Sequence, residues 1–193
     1  FDNYAANFEK SLVKNLKYNT PQIIKEMIID DNMDNLGSIL DLGCGTGLVG
    51  LELKSFSENI DGVDLSKLML EKAHEKNIYN NLFHNDIENY LTTRTLEYDY
   101  FIAADVFVYI GNLSYIFKSI KERNKHNGKL IFSTEHTNGK GYYITKKGRY
   151  CHSTDYIKSL CKKFNYELLI FKKTTLRKDD TKDICGGVYL LQF

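Results

Sequence analysis

The sequence predicts a single α/β domain in which a mostly parallel sheet lies between two layers of helices, and three observations indicate this. An apolar run at residues 39–42 breaks into glycines at positions 43, 45 and 47 before a helical pattern resumes, which is typical of a strand, a tight turn and a helix. A second strand ends at Asp64, about 20 residues after Gly43, as expected for a βαβ unit. A near-continuous apolar run at residues 98–109 is typical of a central parallel strand buried on both faces.

Composition narrows the class of protein. The chain has 193 residues, of which 42% are hydrophobic, enough for one domain with one core. Its net charge of +1 provides no overall field that would recruit nucleic acid or a membrane. The four cysteines form no Cys-x-x-Cys pair, so we expect reduced thiols, a cytoplasmic protein and no metal site. The first residue is Phe rather than Met, and we expect a segment of a longer polypeptide.

Two helices are expected before the first strand. Residues 1–36 form an N-terminal helical cap in this prediction, and residues 37–193 form the main domain. Three apolar residues at helical spacing indicate the first helix. Thr20 followed by Pro21 predicts the start of the second, because proline suits the first helical position.

The glycine turn determines which class of ligand the sequence favours. Its pattern, Asp-x-Gly-x-Gly-x-Gly from Asp41 to Gly47, lacks the Gly-x-Gly-x-x-Gly spacing of dinucleotide sites, and no Gly-Lys-Ser/Thr phosphate loop follows. Glycine accepts a positive φ and has no Cβ to hold a ligand off the main chain. The next helix directs its free N–H groups to the same place. A tight turn that binds nothing is the alternative. The pattern resembles the first motif of class I S-adenosylmethionine-dependent methyltransferases.

That resemblance implies a fold, a cofactor and a binding site. The fold is a Rossmann-like sandwich whose seven-stranded, mostly parallel sheet has the order 3-2-1-4-5-7-6, with helices on both faces. The cofactor is S-adenosylmethionine, with Asp41 near its methionine end and the glycine loop beneath its sugar. Asp64, at the end of the second strand, is positioned to accept both ribose hydroxyls. The expected cofactor-binding residues are Tyr4, Asp41, Gly43, Cys44, Gly45, Thr46, Gly47, Asp64, Leu65, Asp86, Ile87, Ala104 and Asp105.

Several of these residues have a second interpretation. In the family, an acidic residue after the third strand binds the adenine amino group beside an apolar side chain, and Asp86 and Ile87 match this pattern. Asp86 could equally cap the following helix. Tyr4 is either a lid contact over the cofactor or part of the core edge. Ala104 and Asp105 follow the fourth strand, where ligands gather in a doubly wound sheet.

The second half of the chain departs from regular alternation. Its predicted elements are a fifth strand at 129–135, a loop at 138–149, a helix from Ser153, and two antiparallel closing strands at 166–175 and 188–193 with a charged hairpin loop at 177–187 between them. Basic residues alternate with tyrosines in the first of these loops. Such a surface suits nucleic acid or any anionic substrate, and the near-zero net charge favours the latter.

Methyl transfer from a sulfonium is an in-line displacement, so the protein mainly has to place the acceptor and exclude water. A base is needed only where the acceptor must lose a proton. The candidate catalytic or substrate-contacting residues at the carboxyl edge of the strands are Asp105, Glu135, His136, Arg149 and His152. His136 could instead be a solvated loop residue, and His152 could merely cap a helix. Arg149, with Arg177, suits a carboxylate or phosphate, so we expect an anionic or polar small molecule or a protein side chain, methylated on O or N.

Three short segments narrow the resemblance further. Phe-Asp-x-Tyr-Ala, Ala-Ala-Asp-Val-Phe-Val-Tyr and Gly-Arg-Tyr-x-His-Ser resemble methyltransferase domains found behind tetratricopeptide repeats in bacteria. The resemblance to that subgroup does not identify the acceptor substrate. Two rival functions remain open. One is a catalytically silent domain that binds the cofactor or a partner. The other is a nucleic-acid methyltransferase, but the proline-containing motif expected after its fourth strand is replaced by Ala-Asp-Val-Phe.

Overall fold

The structure is a computed structural model that describes residues 18–30, 35–179 and 182–193. Within these ranges the strands are β1 (Ser38–Leu42), β2 (Asn59–Asp64), β3 (Asn81–His84), β4 (Tyr100–Ala103), β5 (Lys129–His136), β6 (Tyr142–Ile144), β7 (Tyr150–His152), β8 (Glu167–Asp179) and β9 (Lys182–Gln192). The helices are α1 (Thr20–Asp30), α2 (Leu48–Leu53), α3 (Lys67–Glu75), α4 (Ile87–Thr93), α5 (Ser114–Arg123) and α6 (Thr154–Phe164). Tyr4 and the first predicted helix lie outside the described residues.

The strands form one mixed, mostly parallel sheet. β1 pairs in parallel with β2 and β4, β2 with β3, and β4 with β5. The order is β3-β2-β1-β4-β5-β7-β6, and β9 pairs with both β5 and β8. The predicted α/β class is therefore confirmed. The prediction of seven strands in the order 3-2-1-4-5-7-6 is wrong, because the described sheet has nine strands. The strands numbered 6 and 7 in the observed order are the two that were not predicted, and the predicted closing strands are β8 and β9.

The strands that the sequence did not indicate lie in segments predicted to be loops. β6 falls inside the predicted loop at 138–149, and its antiparallel partner is β7. Gly141 and Gly148, which suggested a loop, have φ of +69° and +74°; Gly141 directly precedes β6, and Gly148 lies in the turn between β6 and β7. β8 and β9 continue through the predicted charged loop at 177–187. Their charges pair across the ladder, as Lys178 does with Asp183 at 3.7 Å, so a charged segment forms strand here.

The β6–β7 hairpin lies beyond the carboxyl end of β4, on the same edge of β5. Glu135 pairs with Cys151 of β7 and with Gly186 of β9, so these two strands lie on opposite edges of β5. β4 also pairs with β5 opposite β9, but only as far as the register pair Ala103 and Phe132. β7 therefore continues the edge that β4 occupies, beyond the last residue of β4.

Two apolar clusters cover the two faces of the sheet. The alternation of side chains along each strand sends neighbouring residues to opposite faces. One cluster joins α4, α5 and α6 to Leu40, Leu42, Phe101, Leu130 and Phe132. The other joins α1 and α2 to Ile39, Tyr100, Ile102 and Ile131. Helices thus pack on both faces, as predicted. None of the helices in the described ranges is long and apolar enough to cross a membrane.

Candidate functional site

The glycine turn joins β1 to α2 at the carboxyl edge of the sheet. Gly43, Gly45 and Gly47 have φ of +69°, +54° and +89°, a region that side chains with a Cβ rarely adopt. A Cβ on Gly43 would lie 2.5 Å from Val106, and one on Gly47 would lie 2.9 Å from the ring of Tyr79. A Cβ on Gly45 would meet nothing within 4 Å. The two outer glycines are therefore required by packing, whereas Gly45 borders open space that a ligand could enter.

Asp64 links this turn to the start of α3. Its Oδ2 accepts the Gly45 N–H at 2.8 Å, and its Oδ1 accepts the Ser66 N–H at 2.8 Å. Burial raises the pKa of this carboxyl, and the two N–H donors oppose that rise. A hydrogen bond from the Leu65 N–H also lowers this pKa, so three of about four acceptor positions are used and one remains for a sugar hydroxyl. The next residue, Leu65, is 68% exposed and presents an apolar surface beside it.

Asp41 lies behind the turn, near the end of β1. It is 1% exposed, and the Tyr79 hydroxyl donates to its Oδ2 at 2.7 Å. Burial raises the pKa of Asp41 to about 7, the Tyr79 bond lowers it, and the charge of Asp64 adds to the rise. The contact of Tyr79 with Asp41 was not predicted from the sequence. The signal for it was Gly50, a glycine inside a helix, because a Cβ there would lie 2.7 Å from the Tyr79 hydroxyl oxygen.

Asp86 and Ile87 stand at the start of α4. Asp86 caps this helix, because its Oδ1 accepts the N–H groups of Glu88 and Asn89 at 2.9 and 3.1 Å. Both bonds use the same oxygen, so Oδ2 can still accept a donor such as an amino group. Ile87 is partly buried and packs against the core cluster of this face. The capping interpretation is thus observed, and the adenine contact stays a prediction.

A buried ion-pair cluster lies at the carboxyl ends of β4 and β5. Asp105 has φ of +57°, and its N–H donates to the Ser133 hydroxyl oxygen at 2.8 Å. Arg177 donates through Nη1 to Asp105 Oδ2 at 2.7 Å and through Nη2 to Glu135 Oε1. Arg177 is only 3% exposed, and although burial opposes it, the two carboxylates raise its pKa. Burial raises the pKa of Asp105, and Arg177 opposes that rise.

Arg149 lies on the exposed side of this cluster. Its Nη1 is 3.4 Å from Glu135 Oε1, its side chain is 33% exposed, and its guanidinium carbon is 5.9 Å from the centre of the Tyr109 ring. The Cys151 thiol is 3.8 Å from Glu135 Oε2. The structure therefore brings together three predicted site residues, Asp105, Glu135 and Arg149. Arg177, expected on a charged loop, stands at the centre of the cluster instead.

The two predicted histidines face away from this cluster, which corrects their expected position. Neighbouring residues of a strand point to opposite faces, so His136 and His152 lie opposite Glu135 and Cys151. His152 is completely buried, its Nε2 is 3.0 Å from the Gly111 carbonyl oxygen, and burial lowers its pKa. In this arrangement it is a buried residue on the face of the sheet opposite Cys151, and its contact with a substrate stays a prediction. The His136 ring lies 6.3 Å from that of Phe171.

Tyr18, just before α1, is a further residue that sequence analysis missed. Burial, and after it the negative charge of Asp105, raises the pKa of Tyr18, and Asp41 and Arg177 also act on it. This places the phenol between the acidic groups at the ends of β1 and β4. Tyr18 lies outside the apolar spacing that predicted the first helix, so nothing in the sequence indicated this position. Among the described residues, no group of three or more His, Cys, Asp or Glu side chains could hold a metal ion.

Comparison with known proteins identifies the type of domain. Residues 33–184 match the family described as "Methyltransferase domain". The chain is 39% identical over 112 residues to a malonyl-[acyl-carrier protein] O-methyltransferase of Halalkalibacterium halodurans, covering 54% of this chain and 41% of that protein. It is 30% identical over 110 residues to a ubiquinone biosynthesis O-methyltransferase of Rickettsia akari, covering 55% and 43%. The chain thus spans less than half the length of these two relatives.

Solved structures share the fold. A crystal structure of an S-adenosylmethionine-dependent methyltransferase from Clostridium acetobutylicum superposes with a TM-score of 0.70 at 20% identity, covering 99% of this chain and 98% of that one. At this identity the likeness concerns the fold. It indicates that the arrangement of strands, helices and glycine turn is that of a known class of domain.

Proposed function

This chain belongs to the methyltransferase domain family, a class of enzyme that uses S-adenosylmethionine, and on that premise we propose that it methylates an oxygen atom of a polar or anionic small molecule. One observation supports this proposal: two neighbouring sites lie at the carboxyl ends of the parallel strands. The open glycine turn with Asp64 lies at the ends of β1 and β2. The cluster of Asp105, Glu135 and two arginines lies at the ends of β4 and β5.

The residues at the first site fit the cofactor. The backbone at Gly45 leaves room for its sugar and amino acid, and Asp64 has an acceptor position for a ribose hydroxyl. Leu65 and Ile87 offer apolar surface to an adenine, and Asp86 offers an acceptor to its amino group. Asp41, buried behind the turn, offers negative charge to an ammonium group. When bound, S-adenosylmethionine supplies a methyl group attached to a positively charged sulfur.

The residues at the second site favour an anionic acceptor. Arg177 is buried between two carboxylates, but Arg149 makes one long contact with Glu135 and is partly exposed. Arg149 therefore retains donors for a carboxylate or phosphate. Neither histidine of this edge faces the cluster, and an acceptor oxygen that already carries a negative charge needs no base. The two relatives described above are both named O-methyltransferases, which supports oxygen as the acceptor atom.

The test has a binding step and a transfer step. We expect calorimetry to show binding of S-adenosylhomocysteine and much weaker binding of NAD. With methyl-labelled S-adenosylmethionine and a cell extract, label should enter the small-molecule fraction, and base-labile label there would identify a methyl ester. Label confined to protein or nucleic acid would contradict the proposed acceptor class. Binding without any transfer would indicate a catalytically silent domain.

Arg149 provides the matched variants. Arg149→Ala should lower turnover at least about tenfold, the loss expected for one charge-assisted hydrogen bond, while the Kd for S-adenosylhomocysteine stays within about twofold. Arg149→Lys keeps the charge but not the planar fork, so it should retain part of the activity. Equal activity in all three proteins would mean that the acceptor binds elsewhere.

Two finer statements also remain our proposals. The resemblance of three short segments to methyltransferase domains behind tetratricopeptide repeats supports a place in a longer repeat-containing polypeptide, which the intact mass of the native protein would test. The cysteine pattern supports the cytoplasm as the site of action, which fractionation of cells would test.

A further inference from the structure

Resting on the function proposed above, we propose that the acceptor contains a planar aromatic ring, which binds against the rings of Tyr109 and Tyr143 with its acidic group at Arg149. The proposed substrate class is thus an aromatic acid. It depends on where the β6–β7 hairpin lies, on which side chains it presents to the cluster, and on how firmly it is held.

Tyr143 is presented to the cluster by the hairpin. The hairpin extends the edge of β5 beyond the end of β4, over the side of the sheet where the cluster lies. Tyr143 pairs across the ladder with Cys151, so their side chains share one face. Its side chain hydrogen-bonds the Cys151 thiol, whose Sγ is 3.8 Å from Glu135. Tyr143 nevertheless remains 50% exposed, on the face that its ladder partner Cys151 shares with Glu135.

Tyr109 supplies a second ring next to the same cation. It ends the short 3₁₀ turn that follows β4, and its ring centre is 5.9 Å from the Arg149 guanidinium carbon. The charges of Arg177, Asp105 and Glu135 act on its hydroxyl group, and the residue is 47% exposed. A half-exposed ring on each of two segments thus flanks one partly exposed arginine. This combination matches a ligand that has a flat apolar body and an acidic group.

The other face of the hairpin holds Tyr143 in place. Tyr142 contacts the rings of Tyr150, His152 and Tyr156, with centroids 5.0 to 6.2 Å apart. A Cβ on Gly111 would lie 2.6 Å from Tyr150 and 2.8 Å from Tyr142, so the backbone there is pressed against these rings. The buried His152, which does not face the acceptor, therefore helps to anchor the hairpin. A ring on a packed hairpin is preorganised for binding, unlike one on a flexible loop.

An aromatic acceptor gains more from this surface than a saturated one. Aromatic pairs add attraction beyond the burial of area, because the negative face of one ring meets the positive edge of another. A saturated ring of similar size buries comparable apolar area but lacks that term. The guanidinium of Arg149 would bind the acidic group of either ligand equally. The part of this discrimination that is lost when a tyrosine ring is removed therefore reports that ring.

The experiment compares benzoate with cyclohexanecarboxylate on protein saturated with S-adenosylhomocysteine, by titration monitored with NMR. We expect benzoate to bind several-fold more tightly. Tyr143→Ala should reduce that preference, Tyr143→Phe should keep it, and Arg149→Ala should weaken both ligands alike. Tyr115→Ala, which removes a 41% exposed tyrosine on α5, is the matched control and should change nothing.

Each possible result decides between the two proposals. Equal binding of the two acids, or a preference left unchanged by Tyr143→Ala, would overturn the aromatic acceptor and leave the proposed function standing. Failure of the unaltered protein to bind S-adenosylhomocysteine would overturn the proposed function, and the aromatic acceptor with it. The melting temperature of each variant, compared with that of Tyr143→Phe, separates loss of a ring from loss of the fold.

Discussion

The buried carboxyl of Asp41 should make the ligand-free protein less stable as the pH rises toward neutrality. Burial raises its pKa from 3.8 to about 7, against the opposing hydrogen bond from Tyr79. In the unfolded chain the same group ionises near pH 4. Between these two values the folded state binds the extra proton, so stability falls as the pH rises and levels off above about pH 7.

The size of the effect follows from the shift. At about 1.4 kcal/mol per pKa unit, ionised Asp41 costs the folded state about 4 kcal/mol, of which about 3 kcal/mol develops between pH 5 and pH 8. Asp41→Asn removes the titration and keeps an oxygen that can accept the Tyr79 hydroxyl. We therefore expect the variant to lose this part of the pH dependence and to exceed the unaltered protein in stability at pH 8 by about 2–4 kcal/mol.

Urea denaturation at pH 5, 6, 7 and 8, without cofactor, measures this directly. The m-values should agree between the proteins, so that a shift in midpoint reports stability. Glu71→Gln, at an exposed position on α3, is the control and should leave the pH profile unchanged. Parallel profiles for Asp41→Asn and the unaltered protein would refute the reasoning, because Asp41 would then be ionised in the fold across the whole range.

Three further predictions concern the glycine turn and the ion-pair cluster. Arg177→Met leaves the carboxylates of Asp105 and Glu135 buried without their cation and should destabilise the protein by about 3–5 kcal/mol in urea denaturation. Gly45→Ala should cost only about 1–2 kcal/mol of stability, because its positive φ is strained but its surroundings are open, yet it should lower the affinity for S-adenosylhomocysteine at least about tenfold. Asp64→Ala should lower that affinity at least about tenfold in calorimetry, because it removes the charge-assisted hydrogen bonding that we propose for the ribose as well as the bond to the Gly45 N–H.

Each of these predictions has a control in the same chain. Gly148 also has a positive φ and open surroundings, so Gly148→Ala should cost similar stability without changing the affinity for S-adenosylhomocysteine. Asp61→Ala alters a carboxylate three residues earlier on β2 and should spare that affinity. A loss of affinity in either control would indicate that the losses in Gly45→Ala and Asp64→Ala come from a general disturbance of the fold. Arg177→Lys should be less destabilising than Arg177→Met, and equal losses would show that charge is not what matters.

The glycine turn and the strands that flank it could be predicted because their causes are local. A positive φ requires glycine, an apolar run of a few residues forms a buried strand, and an acidic residue about 20 positions later ends the next parallel strand. Gly43, Gly45, Gly47 and Asp64 accordingly lie together at one edge of the sheet. Tyr79 was missed because it comes from a loop before β3 and reaches Asp41 across 38 positions of sequence.

The acceptor side shows what only the tertiary structure decided. Arg177 lies in a charged run that is typical of a loop, yet the ladder between β8 and β9 carries it to Asp105, 72 positions away in sequence. His152 follows a predicted loop beside the sheet edge, and the register of β7 on β5 turns it into the core and Cys151 toward Glu135. A shift of that register by one residue would exchange their faces. The sequence by itself thus determined the glycine turn and the strands beside it, whose patterns extend over a few residues. Long-range strand pairing and its register decided the acceptor side, because no local pattern specifies which strands meet.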